Sequence, residues 1–191
     1  MAYREVLDGS WRQHVGGYLS GRTVGIIGCG FVGKDLVPLL SAFGCTILVN
    51  DIKDFSEFYS LHNVKPVSLD ELMLNSDIVT LHVPLDQSTC GMLNADKLAL
   101  LKSDAILINV ARGGLVDELA LKQMLKSNRI AAAGFDVFTV EPPKDRELLE
   151  LPNFLVTPHI GGSAEEAILA MGRAAIDGLD NNQIPGLDFG K

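Results

Sequence analysis

Short apolar runs alternate with amphipathic stretches along most of the chain. The runs are continuously apolar, which is typical of strands that helices cover on both faces. They predict seven strands, at residues 23–28, 46–51, 66–67, 78–83, 105–110, 130–137 and 154–157. Helices are predicted at residues 31–43, after 68–71, and at 94–101, 117–126 and 163–180. Because strands alternate with helices, the crossovers are right-handed, and the predicted fold is α/β: a doubly wound parallel sheet in a three-layer αβα arrangement.

Helix-capping residues punctuate this pattern. Ser68, Asn94, Asp117 and Ser163 each stand where an amphipathic stretch begins, and the first and last have the spacing of a capping box. Outside the strand–helix region, residues 1–20 are predicted to be a connector helix. Residues 21–162 form the predicted sheet domain, and residues 163–191 an exit helix with a C-terminal connector.

Composition narrows the class of partner. The 191 residues fit one domain, and 47% apolar residues exclude a mostly disordered chain. The net charge of −8 would repel nucleic acid and anionic membranes. The three cysteines form no zinc-binding pattern and, with no apolar leader or membrane-length run, favour the cytoplasm. We therefore expect no metal, no nucleic acid and no membrane partner.

A glycine-rich turn predicts a dinucleotide site. Gly28, Gly30 and Gly33 match GxGxxG directly after a predicted strand and at the start of a helix, where a pyrophosphate is bound in Rossmann-like domains. Asp51 ends the next strand, where a carboxylate accepts hydrogen bonds from ribose hydroxyls and repels a 2′-phosphate. The pattern favours NAD over NADP, although the glycine fingerprint alone also admits a flavin.

Three further residues have the chemistry of an active site. Arg112 follows a strand and precedes two glycines, so its guanidinium can form paired hydrogen bonds with a substrate carboxylate. His159 lies between a strand and a Gly-Gly turn, and histidine exchanges protons near neutral pH. Glu141, interpreted as ending a strand segment, can fix the imidazole tautomer and raise the histidine pKa. His82, in His-Val-Pro84, is predicted to line the cofactor cleft through its backbone.

Five ordered segments carry a family resemblance: GIIGCGFVG, LHVPL, INVARGGLVDE, GFDVFTVEPP and TPHIGG. Over about residues 11–184 the chain resembles the NAD-binding domain of the NAD-dependent D-2-hydroxyacid dehydrogenases, particularly the phosphoglycerate dehydrogenase type. The resemblance implies that Arg112 binds the substrate carboxylate and polarises its carbonyl, and that His159 is the acid–base group with Glu141 as its partner. The implied cofactor-binding positions beyond the glycine turn and Asp51 are Phe31, Val32, His82, Pro84, Thr89, Val110, Ala111, Arg112, Asp136, His159, Gly161 and Gly162.

The resemblance also implies what the chain lacks. In this family the NAD-binding domain is inserted into a substrate domain, and both flanks are nearly missing here, so the chain is expected to be a fragment, a truncated product or one half of a two-chain enzyme. It is expected to bind NAD, to act poorly alone on a 2-hydroxy or 2-oxo acid, and to form a homodimer. Two alternatives stay open: an NAD(H)-sensing module like the related transcriptional corepressors, and a domain of the adenosylhomocysteinase type.

Overall fold

The computed structural model describes residues 2–180, and the chain divides into two compact units, Met1–Pro158 and His159–Lys191. The first unit holds a seven-stranded sheet. Its strands are β1 Thr23–Ile27, β2 Thr46–Asn50, β3 Lys65–Pro66, β4 Ile78–Leu81, β5 Ile106–Asn109, β6 Ala132–Phe135 and β7 Phe154–Val156. All neighbouring strands are parallel, in the order β3-β2-β1-β4-β5-β6-β7. The predicted doubly wound α/β fold is confirmed.

Eight helices lie within residues 2–180. They are α1 Ala2–Leu7, α2 Phe31–Ala42, α3 Ser56–Leu61, α4 Leu69–Asn75, α5 Ala95–Ala99, α6 Glu118–Lys126, α7 Arg146–Leu149 and, in the second unit, α8 Glu165–Asp180. Of the connector helix predicted over residues 1–20, only Ala2–Leu7 is helical, because Gly9 (φ +82°) and the Gly16-Gly17 pair follow. The last part of the predicted C-terminal connector, residues 181–191, lies outside the described residues.

Predicted caps begin three of the helices. The side chains of Ser68, Asn94 and Asp117 accept hydrogen bonds from backbone N–H groups three residues later, at 3.2, 3.0 and 2.9 Å. Each satisfies one of the donors that a helix start leaves without an intrahelical partner. Asp145 caps the four-residue α7 in the same way, at 3.1 Å from the Leu148 nitrogen. The sequence did not predict α7, because one turn is too short to show a periodic pattern.

Alternate residues of the central strands enter two separate cores. Val24 and Ile26 of β1 pack with residues of β2, α2 and α3, whereas Ile27 packs with residues of α4, α5 and α6. Helices thus cover both faces of the central strands, as predicted from their continuous apolar character. The prediction is wrong for the edge strand β7, where Leu155 is 72% exposed. Side chains of a strand point to alternate faces of the sheet, and β7 buries Phe154 on one face while Leu155 is exposed on the other.

The strand register places the functional edge of the sheet. Across six adjacent strands, the paired residues Asn50, Ile27, Leu81, Asn109, Phe135 and Val156 form one row. Neighbouring strands are about 4.8 Å apart, so the row is roughly 24 Å long. The residues that directly follow it are Asp51, Gly28, His82, Val110, Asp136 and Thr157. Five of these six are predicted site residues, and ligands bind at this edge in open parallel sheets.

Candidate active site

The glycine-rich turn combines two crowded positions with one open position. A Cβ on Gly28, whose φ is +96°, would lie 2.6 Å from the His82 carbonyl oxygen. A Cβ on Gly33 would lie 2.2 Å from the Gly28 carbonyl oxygen, so α2 can approach β1 closely only with glycine there. Around Gly30, by contrast, a Cβ would meet nothing within 4 Å. The turn therefore leaves room at the start of α2, the place where helix N–H groups attract a phosphate.

Asp51 is bound to this turn. Its Oδ2 accepts a hydrogen bond from the Cys29 N–H at 2.6 Å, and its Oδ1 accepts one from the Lys53 N–H at 2.8 Å. A carboxylate has about four lone-pair sites, so two backbone donors leave it able to accept ribose hydroxyls. The side chain is thus pre-positioned beside the open space at Gly30.

A cleft of about 490 Å³ joins these groups. The predicted site residues that line it are Gly28, Gly30, Phe31, Asp51, His82, Pro84 and Thr89. Val32 and Gly33 do not line it: Val32 is 61% exposed, and Gly33 is buried against the Gly28 carbonyl. The sequence analysis did not single out the lining residues Lys34, Asn50, Ile52, Lys53, Phe55 and Met92. Lys34 could have been found, because it lies one helical turn after Gly30.

His82 and Thr89 shape the far wall of the cleft. His82 donates its backbone N–H to the Ile27 carbonyl at 2.7 Å, and its Nε2 lies 3.0 Å from the Thr80 hydroxyl. Burial lowers the pKa of His82, so the ring is neutral at pH 7. The Thr89 hydroxyl donates to the Pro84 carbonyl at 2.7 Å and accepts from the Asp86 N–H at 2.8 Å. These bonds fix the loop that follows β4.

Arg112 stands on a turn that a buried asparagine organises. Asn109 is 1% exposed; its Nδ2 donates to the Arg112 carbonyl at 2.9 Å, and its Oδ1 accepts from the Ala111 N–H at 3.2 Å. The exposed Arg112 guanidinium donates to the Ala111 carbonyl at 2.6 Å. Val110 is 44% exposed at the same turn. Asn109 is a residue that the sequence analysis missed, and its strand-end position was the available signal.

The Arg112 turn interlocks with the loop that carries Glu141. A Cβ on Gly113 would lie 1.9 Å from the Phe138 carbonyl oxygen, so the two backbones touch. Glu118, at the start of α6, accepts hydrogen bonds from the Thr139 N–H and hydroxyl, both at 2.8 Å. Further along that loop, Glu141 Oε1 accepts from the Phe138 N–H at 3.1 Å. Arg112 and Glu141 are therefore carried by two loops that hold each other.

The interpretation of Glu141 as ending a strand segment is wrong. β6 ends at Phe135, six residues earlier, because its pairing with β5 and β7 stops at the row described above. Asp136 follows at once; it is 5% exposed and accepts a hydrogen bond from the Thr157 hydroxyl. Thr157 thereby connects the ends of β6 and β7.

His159, Gly161 and Gly162 belong to the second unit. His159 has a φ of +54°, a left-handed conformation that is uncommon for a residue with a side chain. Such conformations concentrate at functional sites, so this backbone favours a specific role for His159. The Ser163 N–H donates to the Ile160 carbonyl at 3.0 Å, closing the Gly161-Gly162 turn before α8. The pairing of His159 with Glu141 stays a prediction.

Residues 2–180 contain neither a cluster of metal-ligand side chains nor a helix that could span a membrane. No group of three His, Cys, Asp or Glu residues is arranged there to hold a metal ion. No helix in that range has the length and apolar character that a membrane span requires. The absence of a metal cofactor stays a prediction.

The parallel sheet, the glycine-rich turn and the cleft at the strand ends define a Rossmann-like dinucleotide-binding domain. The chain belongs to the D-isomer specific 2-hydroxyacid dehydrogenase family, because the model of that family's NAD binding domain matches residues 1–161. The resemblance given by the sequence is thus confirmed.

Named relatives are consistent with this assignment. Glycerate dehydrogenase of Methylorubrum extorquens is 41% identical over 165 residues, which cover 85% of this chain and 50% of that protein. D-3-phosphoglycerate dehydrogenase of Methanocaldococcus jannaschii is 43% identical over 169 residues, covering 86% of this chain and 32% of that protein. The solved NAD-complexed form of a D-isomer specific 2-hydroxyacid dehydrogenase from Lactobacillus delbrueckii ssp. bulgaricus has a TM-score of 0.82 at 31% identity, covering 96% of this chain and 62% of that one. The chain thus spans a third to a half of the two curated relatives.

Proposed function

We propose that this chain is the NAD-binding half of an enzyme that interconverts a 2-oxo acid and a D-2-hydroxy acid. One observation carries the proposal: the row of strand ends from β2 to β6 is followed by Asp51, Gly28, His82, Val110 and Asp136 on one edge of the sheet. From Asp51 to Asp136 this edge measures about 19 Å at four strand spacings. An edge of this length is long enough for a dinucleotide bound in an extended conformation.

The residues of the cleft fit NAD. Gly30 leaves open space at the start of α2, and Asp51 is held beside it as an acceptor for two ribose hydroxyls. A fixed carboxylate disfavours a 2′-phosphate, so we propose NAD rather than NADP. NAD, when bound, supplies the hydride chemistry, while the protein orients the reactants.

The remaining roles belong to three side chains of this chain. Arg112 holds the substrate carboxylate with paired N–H donors and offsets negative charge on the neighbouring carbonyl oxygen. His159 gives a proton to that oxygen in reduction and removes it in oxidation. Glu141 orients the imidazole and favours its protonated form. No metal is required in this scheme.

The substrate class follows the relatives. The named relatives include a glycerate dehydrogenase and a D-3-phosphoglycerate dehydrogenase. We therefore propose a three-carbon 2-hydroxy acid, with or without a 3-phosphate. For these 191 residues by themselves we expect NADH binding but weak turnover, because one side of a substrate cleft neither excludes water nor fixes the substrate. A homodimer and a cytoplasmic location stay predictions.

NADH fluorescence and NADH oxidation test the proposal. We expect saturable NADH binding, slow oxidation with hydroxypyruvate or 3-phosphohydroxypyruvate, and a large increase when a relative's substrate domain is fused to the chain. In that fusion, His159→Ala should abolish turnover while leaving NADH binding within about threefold. Absence of NADH binding contradicts the proposal. NADH-dependent association with another protein, without turnover in the fusion, would favour the sensing module instead.

A further inference from the structure

Lys34 occupies an unusual place in the cofactor cleft. It lies in the first turn of α2, where its N–H donates to the Gly30 carbonyl at 2.9 Å, and its side chain lines the cleft together with Gly30 and Asp51. Its ammonium stands 3.6 Å from the centre of the Phe55 ring and 5.4 Å from that of Phe58. The side chain is half-buried, so this aromatic surface holds the charge at the cleft wall.

The aromatic surface under Lys34 is itself anchored. Phe55 and Phe58 both make edge contacts with Tyr59, at centroid distances of 6.2 and 6.4 Å. Tyr59 is 6% exposed and packs in the same core as Cys29, the residue between the first two glycines of the turn. The position of the Lys34 charge is therefore linked to the geometry of the phosphate-binding turn.

The Lys34 ammonium has an aromatic neighbour, whereas most lysines within residues 2–180 have a carboxylate neighbour. Lys65, Lys97, Lys102, Lys122 and Lys126 all form ion pairs, whereas no ion pair involves Lys34 in the described part of the chain. A half-buried cation without a carboxylate partner is available to an anionic ligand. The chain as a whole carries a charge of −8, so a local positive charge in the cleft favours the binding of a phosphate.

We propose that Lys34 is a phosphate-binding residue of the cleft, held in place by Phe55 and Phe58. This inference rests on the proposed function, since the phosphate would belong to the bound dinucleotide. The 5′-pyrophosphate is one source of the group, because the start of α2 lies one turn away; a 2′-phosphate is the other, because Lys53 also lines the cleft. Both offer the same chemistry to an ammonium.

Calorimetry with one nucleoside, adenosine, and two nucleotides, ADP and adenosine 2′-monophosphate, separates these cases. Lys34→Gln should weaken ADP binding about tenfold, the equivalent of one charge-assisted hydrogen bond, and leave adenosine binding unchanged. Lys34→Arg should keep most of the affinity. Lys65→Gln is the matched control. It also removes one positive charge, but from a β3 residue that is paired with Glu71, so the affinities for all three ligands should stay unchanged.

The outcomes are distinct. A loss confined to adenosine 2′-monophosphate assigns the Lys34 contact to a 2′-phosphate, and a loss for ADP assigns it to the pyrophosphate. Equal losses for adenosine and ADP, or no loss in Lys34→Gln, overturn the inference while the proposed function stands. If the unaltered protein binds none of these three ligands and no NADH, both this inference and the proposed function are overturned.

Discussion

Substituting Gly30 separates cofactor binding from folding. A methyl group there would meet no atom within 4 Å, and the backbone is extended, with φ −72° and ψ −153°. Alanine is a poorer helix cap than glycine, but it also restricts the unfolded chain, and these two effects oppose each other, so Gly30→Ala should change the free energy of unfolding by about 1 kcal/mol or less. The same methyl would stand where the pyrophosphate approaches. Losing one or two charge-assisted hydrogen bonds should weaken NADH binding roughly 10- to 100-fold.

The assay pairs NADH fluorescence titration with urea unfolding. Gly33→Ala is the matched control, because its methyl would lie 2.2 Å from the Gly28 carbonyl oxygen and backbone must move. That variant should lose about 2 kcal/mol or more of stability. If Gly30→Ala binds NADH as tightly as the unaltered protein, the pyrophosphate does not lie at this turn, and the proposed placement of the cofactor is refuted.

Two further variants test the edge of the sheet. Asn109→Ala removes both hydrogen bonds of a buried amide and should lower the free energy of unfolding in urea by about 2–4 kcal/mol, against about 1 kcal/mol for Asn153→Ala, which loses one bond to the Leu125 carbonyl. Equal losses would contradict the organising role of Asn109. His82 has a lowered pKa in the folded protein, so below pH 6.5 the unfolded chain binds a proton that the folded one does not, and stability falls as the pH falls toward the folded pKa. His82→Asn should remove that part of the slope, at most about 1.4 kcal/mol per pH unit.

Local signals made much of this fold predictable. Ser68, Asn94 and Asp117 cap their helices because capping depends on residues three positions apart, which a sequence displays directly. Gly28 and Gly33 were predictable for a related reason, since both are required by contacts within one strand–turn–helix unit or with the adjacent strand. The predicted alternation of strands and helices then indicates which residues directly follow the carboxyl ends of the strands.

Contacts between distant segments were not predictable in this way. The position of Lys34 depends on Phe55, which comes 21 residues later and after another strand. β6 ends at Phe135 and not at Glu141, because its length is set by where β5 and β7 stop pairing. Both features depend on residues far apart in the chain, so a short stretch of sequence does not display them. The sequence therefore predicts which residues follow the strand ends, but not the contacts that those residues make.

The contact between Gly113 and Phe138, together with the Glu118–Thr139 hydrogen bonds, has a consequence for protein engineering. A segment swapped from a homologue to alter substrate choice must bring both partners, since a foreign residue 113 with a side chain would strike the resident Phe138 carbonyl. Recombination breakpoints between residues 113 and 138 should yield mostly inactive chimeras. Breakpoints before Arg112 and after Glu141 transfer the arginine, the glutamate and the contacts between their two loops together.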